Sequence, residues 1–153
     1  MNPNQKVSFE ALFPIIKEEL DRGESFAFTA FGNSMHPTIQ GGIHRVTLSP
    51  IKDELKKGDI LFYRRKNGVF VLHRLCKIEA DGTLTFCGDN QYVLEKNVQR
   101  SQIIAILTKL EKNNKDVTSS SSAHSLFIKF LPLRRFYFHV IVYLKRKIKA
   151  FFT

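Results

Sequence analysis

Apolar residues recur at helical spacing near the two ends of the chain and alternate with polar ones through its middle. Ser8 followed by Phe9, Leu12, Phe13, Ile15, Ile16 and Leu20 supplies an N-cap and one apolar stripe. This predicts a first helix at about Phe9–Arg22, stopped by Gly23, with Pro14 shifting its start or bending it. From Ser25 the period becomes two: Phe26, Phe28 and Ala30 alternate with Ala27, Thr29 and Phe31 until Gly32-Asn33 breaks the run. Further strands are expected at Arg45–Leu48, Ile60–Arg64, Val69–Ile78, Thr83–Cys87 and Ile103–Leu110. Lys66-Asn67-Gly68 and Asp81-Gly82 are the strongest hairpin signals. Short strands in succession, joined by glycine turns, predict a mainly β fold: a compact, barrel-like antiparallel sheet with an N-terminal helix.

Beyond the last strand the pattern dissolves. Asn113–Ser122, with four consecutive serines, has linker composition and no apolar period to bury. The expected organisation is a domain over residues 1–112, a linker over 113–123 and a helical tail over 124–153. Leu126–Leu133 and Arg135–Phe152 are the helical candidates of that tail, separated near Pro132. Its longest uncharged apolar stretch, Phe136–Leu144, is nine residues, against the roughly 20 that a membrane-spanning helix needs. Such a segment suits a membrane interface, phenylalanines down and lysines up, or a cover folded back on the domain.

Charge sharpens the contrast. The 153 residues carry a formal charge of +10, of which seven units lie between His124 and Thr153, where there is no acid. A basic, aromatic-rich tail points to an anionic membrane surface before nucleic acid, the plainer reading being a solvated helix end. With 43% hydrophobic and 25% charged residues the chain reads as globular. Two cysteines, Cys76 and Cys87, are too few for a disulfide framework and lack metal-ligand spacing; they flank a hairpin and are expected as free thiols, although a bridge stays open. The polar Met1–Val7 and the charged Phe9–Leu20 do not form the apolar run of a signal peptide, so the expected location is cytoplasmic, with peripheral membrane association through the tail. No metal site and no cofactor is expected.

Three segments carry candidate chemistry. Gly32-Asn33-Ser34-Met35-His36-Pro37 follows a strand directly, which would present the Ser34 hydroxyl at a strand end; alone, a serine in such a turn is a turn serine. His73 shares one face of an alternating strand with Val69, Val71 and Leu75. It is either a satisfied core histidine or a desolvated, neutral imidazole able to take a serine proton. Arg74 points the other way, as a surface or ion-pair residue. Asp89, in Gly88-Asp89-Asn90, is either an Asx-turn residue or the group that orients His73.

Taken in order, Gly32-Asn33-Ser34-Met35-His36-Pro37-Thr38, Lys57-Gly58-Asp59-Ile60, His73-Arg74 and Gly88-Asp89-Asn90 resemble the successive sequence boxes of type I signal peptidases and their S24/S26 relatives, over roughly Phe28 to Leu110. Bacterial members use a lysine base; with His73 at that position the chain resembles the endoplasmic-reticulum and archaeal kind. The resemblance implies a signal-peptidase/LexA-like fold, Ser34 as nucleophile, His73 as base and Asp89 as orienting acid. It implies a second acidic position at Glu95 and a structural turn at Asp59. Gly32, Asn33 and Met35 would then frame the oxyanion and substrate backbone.

The function expected on these grounds is a serine endopeptidase that cleaves a peptide or protein with a leader sequence by acyl transfer from Ser34 with His73. The competing expectation is a non-catalytic peptide-binding or membrane-docking module that keeps the fold; nucleic-acid binding through the tail ranks below both.

Overall fold

The computed structural model describes residues 9–117, apart from the Phe9 side chain, and in the tail only Leu133, Tyr137, Val140, Ile141 and Tyr143. The Ser8 cap, residues 118–123 of the expected linker and, apart from those five residues, the two expected tail helices lie outside the described residues. No helix among the described residues is long and apolar enough to cross a membrane.

Helix α1 spans Phe9–Asp21 and includes Pro14. It buries Ile16 and Leu20 with Leu12 beside them, one stripe at i, i+4 and i+8, against Leu48, Phe62 and Ala105 of the sheet. Its end is set by Gly23, which takes a φ of +82°. There the Glu24 N–H bonds to the Glu19 carbonyl at 3.0 Å and the Gly23 N–H to that of Leu20 at 3.0 Å, the paired bonds of a Schellman turn.

Eight strands follow: β1 (Phe26–Thr29), β2 (Arg45–Ser49), β3 (Ile60–Arg64), β4 (Phe70–Ile78), β5 (Leu84–Cys87), β6 (Glu95–Val98), β7 (Ile103–Lys112) and β8 (Lys115–Asp116). They form one sheet in the order β1-β2-β7-β3-β4-β5-β6, with β8 on the end of β7, and every pairing is antiparallel. The path has two ends and does not close. The expected barrel-like arrangement is therefore an open eight-stranded sheet, covered by a helix on one side and by loops elsewhere.

The alternation of β3 and β4 sorts side chains to the two faces. Leu61, Tyr63, Val71 and Leu75 belong to one cluster with Leu84, Phe86 and Val98. Phe62 packs with α1, and Ile60 with Ala30, Met35, Ile39 and Val46. Both faces of the central strands are covered, which is why Arg74, expected at the surface or in an ion pair, is 1% exposed.

The expected start of the linker at residue 113 falls inside the sheet. Asn113 and Asn114 take φ of 49° and 59°, the left-handed pair that a two-residue hairpin turn requires. Glu111 then pairs with Asp116, and the Val117 N–H reaches the Leu110 carbonyl at 2.7 Å.

Candidate active site

Residues 30–44, between β1 and β2, carry Ser34. The segment closes on itself: the Ala30 N–H bonds to the His44 carbonyl at 3.0 Å and the Gly42 N–H to that of Ala30 at 2.8 Å. Met35 and Ile39 anchor it in the core. Two glycines let other backbone approach closely. A Cβ on Gly41 would stand 2.3 Å from the Gly32 carbonyl oxygen, and one on Gly88 would stand 2.5 Å from that of Ser34. The Ser34 carbonyl instead accepts the Asn90 N–H at 2.7 Å. The Gly-Asn-Ser segment and the Gly-Asp-Asn turn, more than 50 positions apart in sequence, are thus in backbone contact, with no room for a side chain at Gly88.

Ser34 is half-buried and His73 is 2% exposed. Both line a cavity of about 260 Å³ together with Gly32, Met35, Val71 and Gln91. Asn33 is exposed beside it. No hydrogen bond joins Ser34 to His73 among the described residues. The cavity opens where β4 loses one neighbour: β3 pairs with Phe70–Arg74, whereas β5 pairs with β4 only from Arg74 onward.

The imidazole is held from behind. The Tyr63 hydroxyl donates to Glu95 Oε2 at 2.8 Å and lies 3.4 Å from His73 Nδ1. Its single hydrogen is committed to the carboxylate, so the contact with His73 needs Nδ1–H as donor and the phenol oxygen as acceptor. The proton on Nδ1 leaves the lone pair on Nε2, the arrangement a general base requires. Glu95 Oε2 stands 4.0 Å from Nδ1. Arg65 clasps Glu95 through Nε at 2.8 and 3.0 Å and through Nη2 at 2.7 Å.

Burial pushes the His73 pKa down to about 4, the positive charge of Arg65 adds to the fall, and Glu95 and Asp89 oppose it. The ring is therefore neutral at pH 7. Burial, with the Glu95 carboxylate, pushes the Tyr63 phenol up, so it remains a donor. Burial works against the charge on Glu95, but hydrogen bonds from Arg65 and Tyr63 outweigh it and hold the pKa below the usual range.

Asp89 occupies a different position from the one its expected role implies. Its two oxygens accept from Arg74 Nε at 2.8 Å and Nη2 at 2.6 Å, a buried bidentate pair. Arg74 Nη1 also donates to the Gly58 carbonyl at 2.8 Å. The hydrogen bonds of Asp89 hold Arg74, and it reaches His73 through charge alone. The acid beside the imidazole is Glu95, aided by Tyr63 and Arg65, two residues that the motifs do not mark.

Asp59 forms a turn: its Oδ2 accepts the Lys56 N–H at 2.7 Å, and its carbonyl accepts the Leu75 N–H at 2.7 Å. Cys76 and Cys87 are both thiols. Cys87 Sγ lies 3.3–3.4 Å from the carbonyls of Gly88, Gln91 and Val93, beneath the turn that carries Asp89. The described residues contain no group of three or more acidic, cysteine or histidine residues able to hold a metal. No family model and no curated protein matches the sequence.

Proposed function

We propose that the protein is a serine endopeptidase of the signal-peptidase-like kind, cleaving a leader or signal-like peptide by acyl transfer. The observation that carries the reading is the shared cavity of Ser34 and a buried, neutral His73 whose Nδ1 meets the Tyr63 hydroxyl at 3.4 Å, with Glu95 at 4.0 Å behind it. Ser34 Oγ attacks the scissile carbonyl while His73 Nε2 takes its proton. The imidazolium that forms is held by the Nδ1–H contact to Tyr63 and by the nearby Glu95 charge. The proton then passes to the leaving amine, and water, activated by the same ring, hydrolyses the ester.

Two further features support the reading. The backbone N–H groups of Ser34 and Met35 have no protein acceptor among the described residues, so they are free to receive an oxyanion. The stretch Phe70–His73, without a β5 partner, offers an edge to which an extended peptide can add as a strand. At 260 Å³ the cavity falls below the roughly 300–1,000 Å³ of drug-sized pockets, which favours small side chains at the scissile bond. The basic tail, residues 124–153, would bring the domain to an anionic membrane surface from the cytoplasmic side.

The absence of a hydrogen bond between Ser34 and His73 is what favours the second reading, a peptide-binding module that retains the fold without the reaction. Catalytic contacts often tighten only with substrate in place, so the two readings divide on activity. Mass spectrometry of peptides accumulating in a Ser34→Ala strain, against its parent and a His73→Ala strain, tests them. The endopeptidase reading expects the same uncleaved precursor in both variants; cleavage of that precursor by either variant refutes it.

A further inference from the structure

A second cavity, of about 480 Å³, adjoins the one that holds Ser34 and His73. The two share Arg65 and Gln91 in their walls, so they lie side by side. The second is lined by Tyr92, Val93 and Leu94, which are 39%, 62% and 38% exposed. Three consecutive exposed apolar residues are a fault in a soluble surface unless something binds there. The segment is also anchored: Cys87 Sγ sits under the Gln91 and Val93 carbonyls, and Asn90 is tied to Ser34. At the junction of the cavities, Arg65 spends Nε and Nη2 on Glu95. No hydrogen bond from its Nη1 is made among the described residues, which leaves the two N–H groups of that nitrogen for a ligand.

We propose that this cavity is a second peptide subsite. It takes a large apolar side chain of the same peptide whose scissile bond lies at Ser34, while Arg65 Nη1 holds an intervening main-chain carbonyl. The proposal rests on the peptidase reading for the identity of its occupant. The shared walls at Arg65 and Gln91 select that occupant, because a chain that extends from Ser34 past these two residues enters the cavity lined by Val93 and Leu94. The small near cavity and the larger far one together specify a substrate with a small residue at the cut and a bulky apolar residue some positions away.

The test uses the full chain carrying Ser34→Ala and a positional-scanning library of fluorescein-labelled decapeptides. Bound peptides should be enriched for leucine, isoleucine or phenylalanine at one position and for small residues at another. Adding Val93→Glu or Leu94→Glu should cut the apolar enrichment roughly tenfold, the scale of losing one buried aliphatic side chain, and leave the small-residue preference unchanged. Thermal unfolding confirms that each variant is folded. An apolar preference that survives both folded variants overturns the subsite. Acylation of otherwise native protein by an activated ester, read by intact mass against Ser34→Ala, reports the nucleophile separately. Acylation at Ser34 without any positional preference sinks the subsite and leaves the peptidase reading standing. A preference that Val93→Glu abolishes, in a chain that no ester acylates, supports the subsite and removes the peptidase.

Discussion

Replacing Asp89 by asparagine removes one half of an ion pair with almost no access to water. Arg74 is 1% exposed and Asp89 2%. Asparagine keeps one acceptor for the guanidinium but turns a donor toward it, leaving a buried cation without its counter-charge. Breaking a buried pair in this way costs about 3–5 kcal/mol, a large part of the roughly 5–15 kcal/mol that stabilises a typical domain. The expected fall in melting temperature is roughly 10–20 °C. A double substitution, Arg74→Met with Asp89→Leu, should recover part of that loss, since neither charge is then buried. Recovery stays incomplete because the Gly58 carbonyl loses its donor, Arg74 Nη1, worth about 1–3 kcal/mol when buried. Circular dichroism measures both variants, and ester acylation of Ser34 at a temperature where each remains folded measures the chemistry. If Asp89 acts by tying its turn to Arg74, the double variant loses part of its acylation, and Arg74→Met alone loses as much or more. If Asp89→Asn instead melts within about 2 °C of the parent while acylation falls about a hundredfold or more, Asp89 acts on His73 and the structural assignment is wrong.

Tyr63→Phe keeps the ring stacked 4.5 Å from Phe86 but deletes the hydroxyl between Nδ1 and Glu95; kcat should fall roughly 5–100-fold, the worth of about 1–3 kcal/mol, with KM nearly unchanged and the melting temperature lowered by several degrees, about 4–8 °C per kcal/mol lost. Because His73 is depressed to about 4, the acid limb of kcat/KM should lie well below pH 6.5. Arg65→Gln, which removes a charge that lowers it, should move that limb upward, and a limb fixed near 6.5 in both proteins would exclude His73 as the base. The same depression links to stability: the unfolded chain binds the proton first, so stability is intact above pH 6.5 and declines as pH falls toward 4. The full loss is about 3 kcal/mol, read from denaturant midpoints at each pH; buried His44, also depressed by burial, adds in the same direction. Gly41→Ala drives a methyl into the Gly32 carbonyl, 2.3 Å away. It should cost about 1–3 kcal/mol and slow acylation, because Gly32 lines the cavity; unchanged melting and acylation would show that the loop yields freely.

The legible parts of the fold are those where one periodicity decides the outcome. β3 is found at the expected Ile60–Arg64, and α1 ends one residue before the expected Arg22. β6, Glu95-Lys96-Asn97-Val98, has a single apolar residue and a left-handed Asn97 at φ 60°, so nothing in it alternates. β8 was hidden by composition: Asn113-Asn114 reads as the start of a polar linker, yet paired asparagines also suit a two-residue hairpin. Of the two expectations for Arg74, the ion pair is found and the surface position is not. Alternation separates core from solvent only when one face is wet, and here both faces of β4 are covered. The same holds for Tyr63, which pairs with Val71 across β3 and β4 and so lies diagonally beside His73, whose partner is Leu61. That placement needs the register, which no motif supplies. Glu95 could be named from the resemblance, but its hold on His73 runs through Tyr63 and Arg65, from another strand and the turn after it.

The location of the site follows from where strand pairing stops. Met35 and Ile39 sit in the cluster with Ile60 and Val46, whereas His73 lies with Val71 and Leu75 on the face shared with Tyr63. Side chains attached to opposite faces of a continuous sheet would be kept apart by the backbone between them. They line one cavity here because β4 has no β5 partner before Arg74, and residues 30–44 reach past that edge. A connection of this length is uncommon in a compact domain unless it has a task. This one is fixed at both ends by backbone bonds, in its middle by Met35 and Ile39, and at Ser34 by Asn90. The Arg74–Asp89 pair completes the arrangement from below. It ties β4 to the Gly88-Asp89-Asn90 turn, and that turn in turn holds the Ser34 carbonyl. Asp89, which the sequence boxes mark as an orienting acid, thus ties the loop of Ser34 to the strand of His73, and the carboxylate beside the imidazole is that of Glu95.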